Sequence, residues 1–365
     1  MLLSYTKTFH RILLVNCRLA TNVFWWLLPQ KCIIINKSHH VLWRLLLFYT
    51  ISILQELLMR KIIIDTDTAS DDAVAIIMAL RHPDIEVLAL TCIAGNVPMD
   101  TACKNAAISA HFAGTYMPPV YRGCEKPILN RSNDAFDLQI NGFSGHEFDV
   151  PVVKPQEKHA VHAIVDTIRQ SDGSVEIVAL GPLTNIAMAL KMAPDIVAKI
   201  PRIVMMVGAG LGSGEKTPVA EANIWTDAEA AKIVLDSGIP TVLLPLEACY
   251  GESVIDEEDQ KLLASLHSPR ADFMLKASEQ LQALNLRLHG HPWISMPDPT
   301  AVAVLIDDTL IKDAVVCKVH VDTCGKYTYG QTVLDIDAPK EEKTSLFVHS
   351  LHGAAFKQLM FDLLK

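Results

Sequence analysis

The chain carries no surplus of positive charge, no paired-cysteine motif and no unbroken run of about 20 apolar residues, and each absence narrows what it can do. Lys and Arg number 32 against 41 Asp and Glu, a formal net charge of −9, which argues against nucleic acid as the main partner. The cysteines, Cys17, Cys32, Cys92, Cys103, Cys124, Cys249, Cys317 and Cys324, are scattered without a CxxC pair. That spacing argues against a disulfide scaffold and for reduced thiols in the cytoplasm. There is no GxxxxGK[ST] stretch, so a P-loop NTPase is excluded. Nor is there an internal repeat, a low-complexity tract or a Pro/Gly/Ser linker, so a single domain is expected over 59–365.

Residues 1–58 differ from the rest. Six basic residues (Lys7, Arg11, Arg18, Lys31, Lys37, Arg44) face one acid, Glu56, giving +5 and leaving −14 for the remainder. The apolar runs "FWWLL" and "LLLFYTISIL" are too short or too interrupted for a clean spanning helix, and no small-residue cleavage site follows them convincingly. Three readings stand: a membrane-associating leader, a disordered extension, or residues translated from upstream of the true start. Met59, just before "RKIIIDTD", would be a natural first residue, and contact with a membrane is expected only through 1–58.

From Met59 onward, strand-like apolar runs alternate with helical stretches. "KIII" is followed by the helical "AVAIIMAL", and "IEVLALTCIAGN", read as a strand ending at Asn96, by "MDTACKNAAISAHFAG". "VEIVALGPLTNIAMALKMAPD" repeats the order, and "IPRIVMMVGAG", "DAEAAKIVLDSG" and "IPTVLLPLEA" continue it as strand, helix and strand. Such alternation predicts an α/β fold with an open, mainly parallel sheet flanked by helices. Residues 319–336 alternate apolar and polar around Gly325 and read as a late hairpin. Polar residues recur where strands end, so the site is expected at the strand C-termini, assembled from distant segments.

The densest of these ends is "KIIIDTDTASDDAVAIIMAL", residues 61–80, with Asp65, Asp67, Asp71 and Asp72 behind a buried strand. Asp65 and Asp67 project to one side of an extended chain, whereas Asp71 and Asp72 at a helix start diverge by about a third of a turn and should serve different partners. Neighbouring carboxylates cannot all stay ionised cheaply without a cation or several donors between them. No Lys or Arg lies between Lys61 and Arg81, which leaves a hard, oxygen-seeking ion, Ca²⁺ or Mg²⁺, as the economical answer. Capping of the helix by one or two of the acids is the plainer alternative.

"DTDTASDDAVA" resembles the signature of the inosine-uridine nucleoside hydrolases. "IAGN" (93–96), "ALGPLTNIAMAL" (179–190), "VAEANIWTDAEAA" (219–231), "PDPTAVA" (297–303) and "GKYTYGQTV" (325–333) agree in order. The resemblance implies hydrolysis of the N-glycosidic bond of purine or pyrimidine ribonucleosides, and a homo-oligomer, dimer or tetramer. It also implies one Ca²⁺ held by Asp67, Asp72, the backbone carbonyl of Leu180 and Asp298. Asp71, Asn96, Glu221 and Asn223 would hold the ribose hydroxyls, with Glu215 standing where an Asn commonly contacts the sugar, and Asp65 would support the loop. Beside the ion, Asp67 would take the proton of the attacking water. A helix cap or solvated loop is the plainer reading of Glu221 and Asn223 taken alone.

The chain departs from that pattern around the leaving base. "WISMPDPT" has Pro297 where many relatives carry a His before the aspartate, and Pro297 cannot donate a proton. His289, His291 and Trp293 are the nearby candidates, the last through stacking on a base. "NGFSGHEF" has Asn141 where relatives often carry His, with His146 displaced by five. A slow or inactive relative that binds ribosyl ligands is therefore the second reading. A haloacid dehalogenase-like phosphatase, which also opens with DxD after a strand, would leave "VAEANI" and "PDPTAVA" unexplained.

Overall fold

The computed structural model describes residues 59–129, 141–210 and 214–365, the side chains of 288 and 289 excepted. The expectations for 1–58 and for the His289 side chain lie outside these residues. Strands β1 (Arg60–Thr66), β2 (Ile85–Cys92), β3 (Val120–Arg122), β4 (Glu176–Ala179), β5 (Ile203–Met205), β6 (Thr241–Leu243), β7 (Ile311–Val321), β8 (Thr332–Asp335) and β9 (Ser345–Leu351) form one sheet in the order β3-β2-β1-β4-β5-β6-β9-β7-β8. All pairings are parallel except those of β7, which runs antiparallel to β8 and β9.

β1 reads as an unbroken apolar run because both its faces are covered, as in parallel sheets generally. Ile62 and Ile64 pack into one core and Ile63 into the other, all fully buried, which is the two-residue period of a strand dividing between two layers. The first layer is built on helices α1 (Ser70–Arg81) and α2 (Met99–Ala113), and the second on α3 (Ala160–Gln170), α4 (Thr184–Met192), α5 (Ala222–Thr226) and α6 (Ala228–Leu235). Helices α7 (Leu246–Cys249), α8 (Glu257–Ser265), α9 (Pro269–Ala277), α10 (Glu279–His289), α11 (Pro297–Ile306) and α12 (Gly353–Leu364) complete the described set. α11 is buried along most of its length and packs against α1.

Two features aim this scaffold at a site. Strand order reverses between β1, which leads outward to β2 and β3, and β4, which leads the other way; a crevice opens at such a switch point at the strands' C-terminal ends. The loops after β1 and β4 therefore face the same space. The hairpin read around Gly325 is present as β7 paired with β8, Val321 opposite Thr332. β2 is shorter than its apolar run suggests and ends at Cys92 rather than Asn96. Beyond Cys92 the Ile93 N–H bonds the Thr66 carbonyl and the Ala94 N–H that of Cys124, single bonds at the ends of the neighbouring strands, after which the chain bends through residues 94–97.

Candidate functional site

Asp67 sits on the loop after β1, 1% exposed. Its Oδ2 accepts a hydrogen bond from the backbone N–H of Asn96, while Oδ1 is buried without a hydrogen-bond partner. An orphaned buried carboxylate oxygen is costly. Two glycines allow it to lie there. A Cβ at Gly95 would fall 2.1 Å from Asp67 Oδ2 and 2.8 Å from Pro182 Cδ, and one at Gly181 would fall 2.8 Å from Asp67 Oδ1. Nothing in the stretches "IAGN" and "ALGPLTN" says that their glycines press against the same carboxylate; that closeness exists only in the fold.

α1 starts at Ala69, a residue with no side chain to cap it. Asp72, buried in the first turn, reaches back instead, its Oδ2 accepting from the Ala69 N–H at 2.9 Å and its Oδ1 from Thr66 Oγ1 at 2.5 Å. Capping, the plainer expectation for this cluster, is thus part of what Asp72 does. α11 begins with Pro297 in its first turn, where a missing N–H costs nothing. Asp298 follows, 2% exposed. Oxygens of Asp71, Asp72 and Asp298 all lie within 4.8 Å of one another, a grouping able to hold a metal ion. Asp71 and Asp72 therefore converge on a shared neighbour, because α11 lays its first turn against that of α1, although their own helix points them apart. Asp67, expected among the metal ligands, lies outside this trio. Two helix N-termini meeting here favour negative charge.

No ion pair among the described residues neutralises the trio. Burial pushes the Asp298 carboxyl well above its usual range, and the negative charges of Asp72, Asp71 and Asp67 push it further. Burial and then the charge of Asp72 raise Asp67 likewise. Asp71, partly exposed on the helix start, is raised to about 7 by burial and by Asp72. Asp72 is raised by burial, against which the Ala69 N–H and the Thr66 hydroxyl act. Asp65 stands one step behind. Its Oδ1 accepts from Thr91 at 2.6 Å and from Asn185 Nδ2 at 2.9 Å, its Oδ2 is buried and unpartnered, and burial raises it to about 7.

The facing wall comes from β4, β5 and α5. Leu180 follows β4, and its carbonyl accepts from Asn223 Nδ2 at 2.9 Å; the same amide nitrogen donates to the Met206 carbonyl at 3.1 Å. With that nitrogen engaged twice, the side-chain oxygen is what Asn223 can offer a ligand. Glu221 is the N-cap of α5, 1% exposed, and accepts from the N–H groups of Asn223, Ile224 and Gly208. Burial, then the charge of Glu215, lifts it to about 7. The cap reading of Glu221 is realised, on a carboxylate that is buried rather than solvated. Glu215 is exposed, and so is Asn96, which meets the cluster through its backbone.

Asn105 on α2 was not visible as a site residue. It is buried, and its Nδ2 donates to the carbonyls of Thr68 and Asn141, each at 2.9 Å, tying the acidic loop to the 141–148 segment. Asn141 has no free reach toward a ligand: its Oδ1 accepts from Phe143 and Gly145 N–H, and its Nδ2 donates to the His146 carbonyl. His146 pairs with Glu279 at 2.8 Å. His291 is exposed and stacks on Trp293, ring centroids 6.1 Å apart.

The family described as inosine-uridine preferring nucleoside hydrolase matches residues 62–358 of this chain. A pyrimidine-specific ribonucleoside hydrolase RihA from Shewanella sp. (strain MR-7) is 37% identical, covering 76% of this chain and 86% of its own length. A pyrimidine-specific ribonucleoside hydrolase RihB from Escherichia coli (strain SE11) is 37% identical over 76% and 87%. The solved structure of a purine-preferring ribonucleoside hydrolase from Gardnerella vaginalis superimposes with a TM-score of 0.76 at 28% identity, covering 84% of this chain and 98% of that one. With an open parallel sheet, an acid cluster at its switch point and the match across 62–358, the chain belongs to the inosine-uridine preferring nucleoside hydrolase family, glycosidases that act on N-glycosyl compounds.

Proposed function

We propose that this chain hydrolyses the N-glycosidic bond of ribonucleosides with the help of one Ca²⁺, releasing free base and ribose. The observation that carries the reading is the crowding of carboxylates, all but Asp71 buried, with no ion pair among the described residues, and with Asp67 Oδ1 left without a partner. Those donors fit a hard cation: they are all oxygens, and the lack of a Cβ at Gly95 and Gly181 lets the Asp67 carboxylate lie among them. Asp67, Asp72, Asp298 and the Leu180 carbonyl would hold the ion. When bound, it supplies a lowered pKa for a coordinated water.

The chain's own residues do the rest. Asp67 takes the proton of the attacking water, whose oxygen joins C1′ as the C1′–N bond breaks and its electron pair leaves with the base. Asp71, Glu221, Asn223, Asn96 and Glu215 hold the ribose. Glu221 is buried, and a buried acid that loses its hydroxyl partner is costly, so 2′-deoxynucleosides should be poor substrates. Relatives at 37% identity bear pyrimidine-specific names, which makes uridine and cytidine the first substrates to try. No helix among the described residues is long and apolar enough to cross a membrane; a cytoplasmic homo-oligomer completes the proposal.

Reducing-sugar release from uridine, cytidine, inosine, adenosine and 2′-deoxyuridine tests it directly. Ribose release from at least one ribonucleoside, lost on chelation and at least tenfold weaker for the deoxy form, is the expected result. Binding of ribonucleosides without any release supports the ribosyl-binding alternative that Pro297 suggests.

Gly95 supplies a sharper check. Gly95→Ala forces a Cβ into the Asp67 carboxylate and Pro182. A displacement of about 1 Å in a reacting group can cost around 100-fold, so kcat should drop by that order while far-UV circular dichroism stays native. Unchanged kcat would show that the position of Asp67 does not matter.

A further inference from the structure

The proposed reaction has no assigned partner for the departing base: Pro297 has no proton to give, Asn141 is spent within its own turn, and His291 is turned to Trp293 on the surface. The end of β6 supplies another group. α7, which follows β6, is fastened to both walls of the crevice. Its Leu246 N–H donates to the Gly208 carbonyl at 3.0 Å, and its Glu247 accepts from the Gly210 N–H at 2.8 Å. Gly208 in turn donates its N–H to Glu221 at 2.9 Å. On the other side, Cys249 Sγ meets Thr300 Oγ1 at 3.5 Å, and Thr300 donates to the Pro297 carbonyl at 2.6 Å, within the turn of α11 that carries Asp298. The next residue, Tyr250, ends α7 with 44% of its surface exposed. Its neighbours in α7 are thus held between the loop that carries Gly208 and Glu221 and the turn that carries Asp298, and its side chain is an aromatic ring bearing a donor, open to solvent.

We propose that Tyr250 meets the leaving base, its Oη–H donating a hydrogen bond to the base heteroatom on which negative charge collects as the C1′–N bond breaks. The claim rests on the ribonucleoside hydrolase reading above. The electron pair of the broken bond stays with the base, which takes its final proton from water at the open rim, and the phenol remains intact. Partial burial of the ring, with the charges of Glu215, Cys249 and Asp71, pushes the phenol up, so it is a neutral donor throughout the working pH range. Its ring also offers the base a stacking face.

Tyr250→Phe keeps the ring and deletes the donor. A hydrogen bond to a charged acceptor corresponds to about 10- to 100-fold in rate, so Tyr250→Phe should lower kcat on uridine or inosine by that factor with KM altered less than threefold. On p-nitrophenyl riboside, whose leaving group departs as a stable anion without such help, the same variant should lose less than threefold. Tyr250→Ala should add a rise in nucleoside KM as the stacking face goes. Losses of equal size on both substrates, or no loss on nucleosides, overturn the assignment to Tyr250. Failure of the wild-type chain to turn over either substrate overturns the hydrolase reading itself, and Tyr250's part with it.

Discussion

Asp67→Asn is expected to lower kcat on ribonucleosides by roughly 10²- to 10⁴-fold, the range for removing a positioned acid–base group, while making the metal-free protein more stable at pH 8. The two effects share one cause. Asp67 is buried, one of its oxygens has no partner, and burial and the charge of Asp72 hold its pKa well above the usual range. A carboxyl raised in the folded state binds its proton more tightly there than in the unfolded chain, so stability falls as pH rises above the unfolded value near 4. Asn carries no such penalty and still offers an oxygen to the Asn96 N–H. The variant should therefore melt a few degrees higher than wild type at pH 8, with the gap closing toward pH 4. Thermal melts in chelator together with steady-state kinetics measure both. A variant with wild-type kcat contradicts the role given to Asp67, and a variant less stable at pH 8 contradicts the account of its burial. Giving up stability for a poised group is a common trade at active sites.

The pH dependence of Ca²⁺ stabilisation should be the second large effect. Asp65, Asp71 and Glu221 are each raised to about 7, all chiefly by burial. Between about pH 4 and pH 7 the folded, metal-free chain holds more protons than the unfolded one, so its stability declines as pH rises through that window. Stripped protein should accordingly melt higher at pH 6 than at pH 8. The proposed ligands Asp67, Asp72 and Asp298 are raised as well, again chiefly by burial, so the ion competes with protons for their oxygens. At 100 times its Kd it adds about 2.7 kcal/mol, or roughly 4 °C for a domain of about 300 residues at pH 8. The gain should shrink toward pH 5.5. A Ca²⁺ shift as large at pH 5.5 as at pH 8 would falsify the link between the ion and these carboxylates.

Much of the fold could be read before the structure because its signals are local. "KIIIDTD" followed by a helix free of Pro and Gly marks β1 and α1, and the alternation from Met59 onward announces the parallel sheet. The early end of β2 could not be read, since Ile93 and Ala94 continue the apolar pattern while the neighbouring strands β1 and β3 stop at Thr66 and Arg122. Strand order is likewise a tertiary fact, and with it the pairing of β1 and β4 that defines the crevice. Within the site, the spacing of Asp67, Asp71 and Asp72 was visible. That Asp71 and Asp72 turn to the same neighbour was not, because the neighbour, Asp298, arrives from more than 200 residues away on α11. Glycines at 95 and 181 and the brace at Asn105 carry no motif of their own; each matters through one contact that only folding creates.

The most direct test of the whole account is a titration of metal-stripped protein with Ca²⁺, following bound ion by equilibrium dialysis and uridine and inosine hydrolysis in the same samples. One ion per chain, with activity rising from near zero in proportion to occupancy and both responses lost in Asp298→Ala, is the predicted result. Hydrolysis that persists in the stripped protein, or a bound ion whose occupancy leaves the rate unchanged, would contradict it.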